Sequence, residues 1–255
     1  MYIIKRFILV LILIVPLNTL AETITIRADE WFPINGEPKS EKPGYMIEIA
    51  NLIASKHGAN IDYKTMPWLR SLSKVREGNF DCVVGAFTDD APDFIFPQEE
   101  WGIIESTFYV KKGSKWRYEG VESLKSIKIG SIGGYAYGDD LDAYIEANKS
   151  SSAVQVVNAN NALEQNIKKL QAGRVDAVIE AHLVMNAKLK DMGISQDEFI
   201  SAGLLGEANK MYIACSPAKE SSKKYTKWFS EGIQMLRDSG KLQAILDKYG
   251  LKDWK

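Results

Sequence analysis

The stretch Leu170-Gln-Ala-Gly-Arg-Val-Asp-Ala-Val-Ile179 completes a helical pattern, turns at a glycine and enters an apolar run. The same order of features occurs earlier, in Glu77-Gly-Asn-Phe-Asp81 and the apolar residues after it. Glycine often ends a helix because it adopts the left-handed conformation at little cost, and the apolar run is typical of a buried strand. We expect Asp81 and Asp176 to serve these turns rather than a ligand. The recurrence predicts two units built on one plan.

Alternating strand and helix patterns extend outward from both segments. The predicted strands are 23–27, 60–65, 80–84, 108–111, 127–130, 154–157, 173–179 (with its turn) and 211–215. The predicted helices are 45–57, 67–77, 139–147, 162–172, 182–192, 221–237 and 241–249. Strands that alternate with helices predict an α/β fold with doubly wound sheets, here in two lobes.

The N-terminus has the pattern of a secretory signal peptide. Lys5 and Arg6 precede an apolar run over 7–15, and Thr19-Leu20-Ala21 offers small residues for cleavage. The run is too short for a permanent membrane span. We therefore expect residues 1–21 to be removed on export to the periplasm. A short uncleaved anchor is the alternative.

Composition excludes several classes of function. With 32 basic and 33 acidic side chains the formal net charge is −1, which argues against nucleic-acid binding. The chain has two cysteines and no CxxC pattern, which argues against a disulfide-rich scaffold. It has only two histidines, which argues against a histidine-based metal cluster. We expect no cofactor and no metal.

Several segments together resemble the family 3 extracellular solute-binding proteins. They are Gly44-Tyr-Met-Ile-Glu-Ile-Ala50, Glu77-Gly-Asn-Phe-Asp81, Ser123-Leu-Lys-Ser-Ile-Lys-Ile-Gly130, Leu170 to Ile179 and Gly240-Lys-Leu-Gln-Ala-Ile-Leu-Asp-Lys-Tyr249. Met66-Pro-Trp-Leu-Arg70 is similar to a Pro-Trp-x-Arg variant in a subset of that family. Each segment is weakly specific alone, but they follow the family's order over nearly the whole mature chain.

The resemblance implies a type II periplasmic-binding-protein fold with two hinge strands, near 108–111 and 204–212. Lobe 1 would hold 22–110 and 209–255, and lobe 2 would hold 111–208. It also implies a monomer that closes on a small polar solute and delivers it to the permease of an ABC transporter in the inner membrane.

Nine residues are candidate ligand contacts. Trp31, Tyr45 and Trp68 would supply aromatic walls and Arg70 a guanidinium, which suits a small polar organic molecule. Gly85 and Thr88 end a strand where family members offer backbone and hydroxyl groups. Gly134 and Tyr135 lie in a strand-to-helix loop that the family uses for a ligand carboxylate. The ninth is Glu180, after the 173–179 strand. Core packing or surface pairing is the alternative for each aromatic residue and for Arg70.

Two charged groups of the family's amino-acid binders are missing. One is the arginine that holds the ligand carboxylate, since no Arg or Lys occurs from Glu77 through Val110 and this segment is instead acidic. The other is the Asp that pairs with the α-ammonium, whose position corresponds to Ala181. Glu180 would replace it only if the strand end shifts by one residue. We therefore predict a ligand other than a standard α-amino acid, or an α-amino acid held by Arg70. The acidic segment also raises the alternative of a cationic ligand.

Two different roles on the same fold are also compatible with the sequence. A dehydratase-like enzyme would use Glu180 or Glu48 as a general acid, although we expect no catalysis. A ligand-sensing partner of a membrane receptor would use the same cleft as a transport protein.

The two cysteines leave their redox state open. Cys82 and Cys215 both fall in predicted lobe 1 strands. Export permits a disulfide between them, and two buried thiols would also fit, because cysteine packs well as a small apolar residue.

Overall fold

A computed structural model describes residues 21–255 of the chain. The predicted signal peptide, apart from Ala21, lies outside the described residues. None of the helices within 21–255 has the length and apolar character needed to cross a membrane.

The first lobe combines elements from both ends of the described chain. They are β1 (Glu22–Ala28), α1 (Tyr45–Lys56), β2 (Ala59–Thr65), α2 (Trp68–Arg76), β3 (Cys82–Ala86), β4 (Gly102–Ile104), β10 (Asn209–Cys215), α6 (Ser221–Asp238) and α7 (Lys241–Asp247). The strands form one sheet in the order β2-β1-β3-β10-β4. The central strand β3 is buried along its whole length, as a strand covered by helices on both faces is. The helices are amphipathic and pack their apolar faces on the sheet.

The second lobe repeats this plan with the middle of the chain. Its elements are β5 (Ser106–Lys111), β6 (Ile129–Ile132), α3 (Asp139–Asn148), β7 (Val154–Val157), α4 (Ala162–Gln171), β8 (Ala177–Ala181), α5 (His182–Asp191) and β9 (Phe199–Leu204). The strand order is β7-β6-β8-β5-β9. Two short 3-10 helices, Val121–Ser126 and Gln196–Glu198, flank the sheet. The predicted two-lobed α/β fold is confirmed.

The chain passes between the lobes twice, through two adjacent segments. The first passage is at Glu105, between β4 and β5, and the second covers 205–208, between β9 and β10. In lobe 1 β4 pairs with β10, and in lobe 2 β5 pairs with β9. The boundary expected at residue 110 falls inside β5, whose pairing with β8 and β9 assigns 106–111 to the second sheet.

Asp81 and Asp176, the aspartates of the recurrent turn, have the same structural role in the two lobes. Asp81 accepts hydrogen bonds from the backbone N–H of Thr25 at 2.8 Å and from its hydroxyl at 2.6 Å. Asp176 accepts one from the backbone N–H of Lys128 at 2.8 Å. Each carboxylate thus fixes the start of a strand to the parallel strand beside it, which is the structural role expected from the sequence.

A disulfide joins Cys82 to Cys215, which stand directly opposite each other in the antiparallel pair of β3 and β10. Both residues are fully buried in the core of lobe 1. Of the two states compatible with the sequence, the disulfide is the one present. It closes a covalent loop that contains all of lobe 2.

Candidate functional site

The carboxyl ends of β1 and β3 in lobe 1 face those of β6 and β8 in lobe 2. Open α/β sheets bind ligands at this edge, because loops there can vary while the strands hold them in place. Asp29 follows β1 directly, and Asp90 lies in the turn after β3. Tyr135 lies in the loop after β6, and Glu180 is the second-to-last residue of β8. These segments meet in the cleft between the lobes.

Two hydrogen bonds between side chains join the lobes inside the cleft, and a third lies at its rim. The indole nitrogen of Trp31 donates to Oε1 of Glu180 at 2.8 Å, and both groups are buried. The hydroxyl of Tyr135 donates to Oδ2 of Asp29 at 2.8 Å. Groups from one lobe therefore satisfy groups from the other, and the structure is a closed form.

Two further contacts close the rims of the cleft. The backbone N–H of Ala136 donates to Oδ1 of Asp90 at 2.9 Å. The ammonium of Lys188 pairs with the Glu30 carboxylate at 2.7 Å, and the Lys188 side chain is only 9% exposed. Because this ion pair is partly buried, salt screens it less than a pair on the open surface.

Between the lobes a cavity of about 20 Å³ remains, which has room for about one water molecule. The rings of Trp31 and Trp68 each make an edge contact with the ring of Tyr135, with centroids 6.2 Å apart. Phe87 meets Trp31 in the same way. We call the lining residues the cleft site: Asp29, Trp31, Asn35, Trp68, Val84, Gly85, Phe87, Asp90 and Tyr135.

Glycines at two positions allow the backbone to approach its neighbours closely. Gly85 has φ +80, and a Cβ there would lie 3.0 Å from Oδ1 of Asn35 and 3.2 Å from the Trp31 ring. Gly134 has φ +86, and a Cβ there would lie 3.1 Å from Cα of Leu69 in the opposite lobe. A side chain at Gly85 would be strained and would disturb the aromatic wall. One at Gly134 would hold the lobes apart.

Three carboxyl groups at the cleft share a raised pKa. Burial raises the pKa of Asp29 to about 7, partly offset by the hydrogen bond from Tyr135. Burial raises the pKa of Asp90 to about 7, although the hydrogen bonds that its carboxyl accepts act to lower the pKa. Burial raises the pKa of Glu180 to about 8, and the negative charge of Asp29 adds to this shift. In the closed form these groups therefore hold protons near neutral pH.

The structure brings six of the nine predicted contacts to the cleft. Trp31, Trp68, Gly85 and Tyr135 line the cavity. Glu180 reaches it through its hydrogen bond with Trp31, from its own place in β8 and without a shift of the strand end. Gly134 lies beside it, against Leu69.

The remaining three predicted contacts lie elsewhere. Tyr45 is buried in lobe 1, where its ring meets that of Tyr249 at 6.4 Å, because the first turn of α1 faces α7. Arg70 is exposed on α2, and Thr88 is exposed with its hydroxyl on Asp89. None of the three lines the cavity. Glu48, the second candidate acid, accepts a hydrogen bond from Tyr249 at 2.7 Å on α1.

Sequence reasoning missed Asp29, Asn35, Phe87 and Asp90 as members of the cleft site. Asp29 had a usable signal, since it directly follows the first strand at the edge where ligands bind. Asp90 belongs to the acidic segment between 77 and 110, but nothing local distinguishes it from Asp89, which is exposed.

Among the described residues, the cleft site holds no basic side chain that could pair with a ligand carboxylate. Its nine lining residues include two carboxyl groups and no Arg, Lys or His. His182, which begins the helix after β8, is exposed and bonds with Tyr109 and Asn186 within lobe 2.

Two similar lobes that meet over a lined cleft define the class of two-lobed binding proteins. The model of the bacterial extracellular solute-binding proteins, family 3, matches residues 24–93 and 130–252. The chain belongs to this family. The predicted resemblance is thus confirmed.

Individual relatives agree with this assignment. A probable histidine-binding protein of Neisseria gonorrhoeae is 23% identical over 221 residues, covering 85% of this chain and 78% of the relative. The structure of an ABC uptake transporter substrate-binding protein from Streptococcus pneumoniae, with bound histidine, has a TM-score of 0.72 at 18% identity and covers 91% of this chain and 93% of its own. A histidine kinase sensor domain similar to periplasmic binding proteins has a TM-score of 0.72 at 19% identity, with coverage of 89% and 96%. At such identities the structural likeness establishes the fold.

Proposed function

We propose that this chain binds one small polar solute in the cleft site and delivers it to the permease of an ABC importer in the inner membrane. It would act in the periplasm after removal of residues 1–21, as a monomer and without catalysis. The Streptococcus pneumoniae neighbour is named as part of an ABC uptake transporter and the Neisseria relative as a binding protein, which supports transport.

The observation that carries this proposal is the pair of hydrogen bonds between the lobes. Trp31 bonds to Glu180 and Tyr135 bonds to Asp29, and the space left between them holds about one water molecule. A solute can therefore enter only when the lobes separate. Its polar groups would then replace these bonds, and the lobes would close on it by bending at the two passages between them.

Recognition would differ from the standard α-amino-acid mode. A ligand carboxylate held in the closed cleft would need a cationic partner, because burying an unpaired charge is strongly unfavourable. The cleft site offers none among its lining residues, and Arg70 is exposed on α2. The site is therefore more compatible with a molecule that lacks this carboxylate than with an α-amino acid.

A thermal-shift panel of amino acids, amines and small organic acids tests the proposal. At a hundredfold excess over Kd a solute stabilises the bound protein by about 2.7 kcal/mol, which corresponds to a melting shift of about 5–10 °C for a chain of this size. We expect at least one such response, confirmed by calorimetry at one solute per chain. Trp31→Ala should abolish it, whereas Trp228→Ala, which removes a ring stacked on His57 in lobe 1, should not.

Failure of every solute class would contradict the proposal, as would equal binding by Trp31→Ala. Transport is tested by uptake of the labelled solute into cells with and without the gene. Equal uptake by both strains, together with retained binding, would favour a sensing role of the kind named for the histidine kinase sensor domain.

One observation favours a second candidate, an enzyme of the dehydratase type. Glu180 has a pKa raised to about 8 by burial, so that it would be protonated near neutral pH as a general acid requires. However, its Oε1 already accepts bonds from Trp31 and from the backbone N–H of Ala181. Turnover of prephenate or arogenate by the purified protein, lost in Glu180→Gln, would establish this alternative; we expect none.

A further inference from the structure

The cleft site and the adjoining Glu180 supply three carboxyl groups and no basic side chain. Asp29 and Asp90 line the cavity, and Glu180 adjoins it through Trp31. Burial is the main cause of the raised pKa values of Asp90 and Glu180, and the negative charge of Asp29 is a smaller cause for both. The three carboxyl groups therefore interact electrostatically. The ammonium of Lys188, which bridges the lobes at the rim, is paired with Glu30 and Asp191.

Two buried oxygen atoms at the site have no hydrogen-bond donor among the described residues. They are Oδ1 of Asn35, a residue 1% exposed that lines the cavity, and Oε2 of Glu180, a residue 3% exposed. Unmet buried acceptors are unfavourable, and most buried polar atoms in proteins are hydrogen-bonded. Oδ1 of Asn35 requires a donor, and so does Oε2 of Glu180 once that acid ionises beside a cation. A buried donor in the same lining, the indole nitrogen of Trp68, also has no hydrogen-bond partner among the described residues.

The walls of the cleft site suit a cation as well. Trp31 and Trp68 both line the cavity. Among aromatic side chains, the face of a tryptophan ring attracts ammonium and guanidinium groups most strongly, and this attraction grows when water is excluded. A metal ion fits less well, because no group of three or more His, Cys, Asp or Glu side chains within 21–255 is arranged to hold one. The chemistry therefore favours an organic cation, which carries several N–H donors on an apolar frame.

We infer that the cleft site selects an organic cation, held through an ammonium or guanidinium group by Asp29, Asp90 and Glu180, and that it rejects ligands carrying an α-carboxylate. This inference rests on the proposed function and specifies its solute class. The N–H groups of the cation would take the places of the Trp31 indole and the Tyr135 hydroxyl on Glu180 and Asp29. Further N–H groups would reach Asn35. A cation paired with these acids would lower their pKa values and ionise them. A carboxylate beside the cation would then meet three carboxylates and no basic side chain, so discrimination would come from repulsion.

Pairs of compounds that differ only by the α-carboxylate test the inference. Calorimetry would compare agmatine with arginine, cadaverine with lysine and histamine with histidine, at one pH and salt concentration. We expect at least one amine to bind at least tenfold more tightly than its amino acid. Tighter binding of the amino acid in every pair that binds would overturn the inference.

Charge-neutral variants test the three acids directly. Asp90→Asn and Glu180→Gln should each weaken binding of the best amine at least tenfold, and Asp29→Asn provides a third test should either variant fold poorly by circular dichroism. Asp89→Asn is the matched control, because Asp89 is exposed and adjacent in sequence, and it should change the affinity less than twofold. Unchanged amine binding by the folded cleft variants would overturn the inference.

The same experiments separate this inference from the proposed function. Binding of neutral or anionic solutes with no response to amines would refute the cation preference while leaving a solute-binding protein in place. No binding by any class would refute both.

Discussion

The indole nitrogen of Trp31 and the carboxyl of Glu180, 149 residues apart in sequence, form a buried hydrogen bond of 2.8 Å that links the two lobes. Trp31 comes from the loop after the first strand of lobe 1, and Glu180 from the end of β8 in lobe 2. A bond in this position exists only while the cleft is closed. A change that weakens this bond should therefore shift the equilibrium from closed toward open molecules.

Removal of the indole donor should shift the solute-free protein toward the open form. Trp31→Phe keeps an aromatic ring but leaves Oε1 of Glu180 with the Ala181 N–H alone. A lost hydrogen bond changes the free energy of closure by about 1 kcal/mol, or the ratio of closed to open molecules by roughly fivefold. Small-angle scattering should record a larger radius of gyration. Trp228→Phe, which alters the ring stacked on His57 outside the cleft site, should leave it unchanged.

Closure should weaken as the pH rises from about 4 to about 8. Burial in the closed form raises the pKa of Asp29 and Asp90 to about 7 and of Glu180 to about 8, so closed molecules hold protons that open, hydrated carboxyl groups release. The stability gained from protonation is complete below the ordinary pKa and is lost as the pH rises through the raised values. The free energy that favours the closed form therefore falls as the pH rises across that window.

Scattering curves collected from pH 5 to pH 9 would measure this effect as a growing radius of gyration. Asp29→Asn with Glu180→Gln should flatten the dependence, because neutral amides do not titrate. A profile that is flat in the unmodified protein, or equally steep in the variant, would contradict the assignment.

Arg70 should be dispensable for solute binding. Its side chain is exposed on α2 and does not line the cavity. Arg70→Ala should change the affinity for any solute found in the panel by less than twofold, measured by calorimetry beside Trp68→Ala, which removes a wall of the cleft site. A loss of tenfold or more in Arg70→Ala alone would restore the arginine as a partner for the ligand.

The disulfide between Cys82 and Cys215 should add substantially to stability. It closes a loop with a sequence separation of 133, and cross-links that close long loops restrict the unfolded chain most. Replacing both cysteines with Ala should lower the free energy of unfolding by about 2–4 kcal/mol. Urea titration with and without reductant measures this, and reductant should have no effect on the double variant.

Gly232 should not tolerate a side chain, although it lies inside the helix α6. A Cβ there would come within 2.6 Å of Cγ1 and 2.7 Å of Cγ2 of Ile53 in α1, and these branched atoms cannot turn away. Gly232→Ala should therefore destabilise the protein by about 1–3 kcal/mol despite the better helix propensity of Ala. Urea titration should show almost no change for Glu231→Ala, the exposed neighbour on the same helix.

A second variant makes the packing explanation specific. If the clash is with Ile53, adding Ile53→Ala to Gly232→Ala should cost less than the sum of the two single changes. Additive losses would indicate another cause for the effect of Gly232→Ala.

The two-lobed plan could be predicted because its signals are local. The turns at Asp81 and Asp176 and the apolar periods of α1 and α4 occur within about a dozen residues each, and the strand 154–157 has the predicted bounds. The three-residue strand β4 and the strand β9 were missing from the strand pattern, because they form by pairing with β10 and β5 from elsewhere in the chain. Local pattern gives no indication of such partners.

The cleft site was harder to predict for the same reason. Trp31, Trp68 and Tyr135 stood out as aromatic residues beside predicted strand ends, and all three line the cavity. Asp90 and Asp89 have the same side chain, but Asp90 accepts hydrogen bonds from the backbone N–H of Phe87 in its own turn and of Ala136 in the opposite lobe. Arg70 follows Trp68 by two residues, but the turn of the helix directs Trp68 inward and leaves Arg70 exposed.

All of lobe 2, from β5 to β9, is one uninterrupted piece of chain that leaves and rejoins lobe 1 at neighbouring strands. Such a piece can be exchanged between relatives as a single cassette, with splice points at Glu105 and within 205–208. Evolution and protein engineers alike can thereby remodel half of the recognition surface while the other half, with its covalent cross-link, stays as it is.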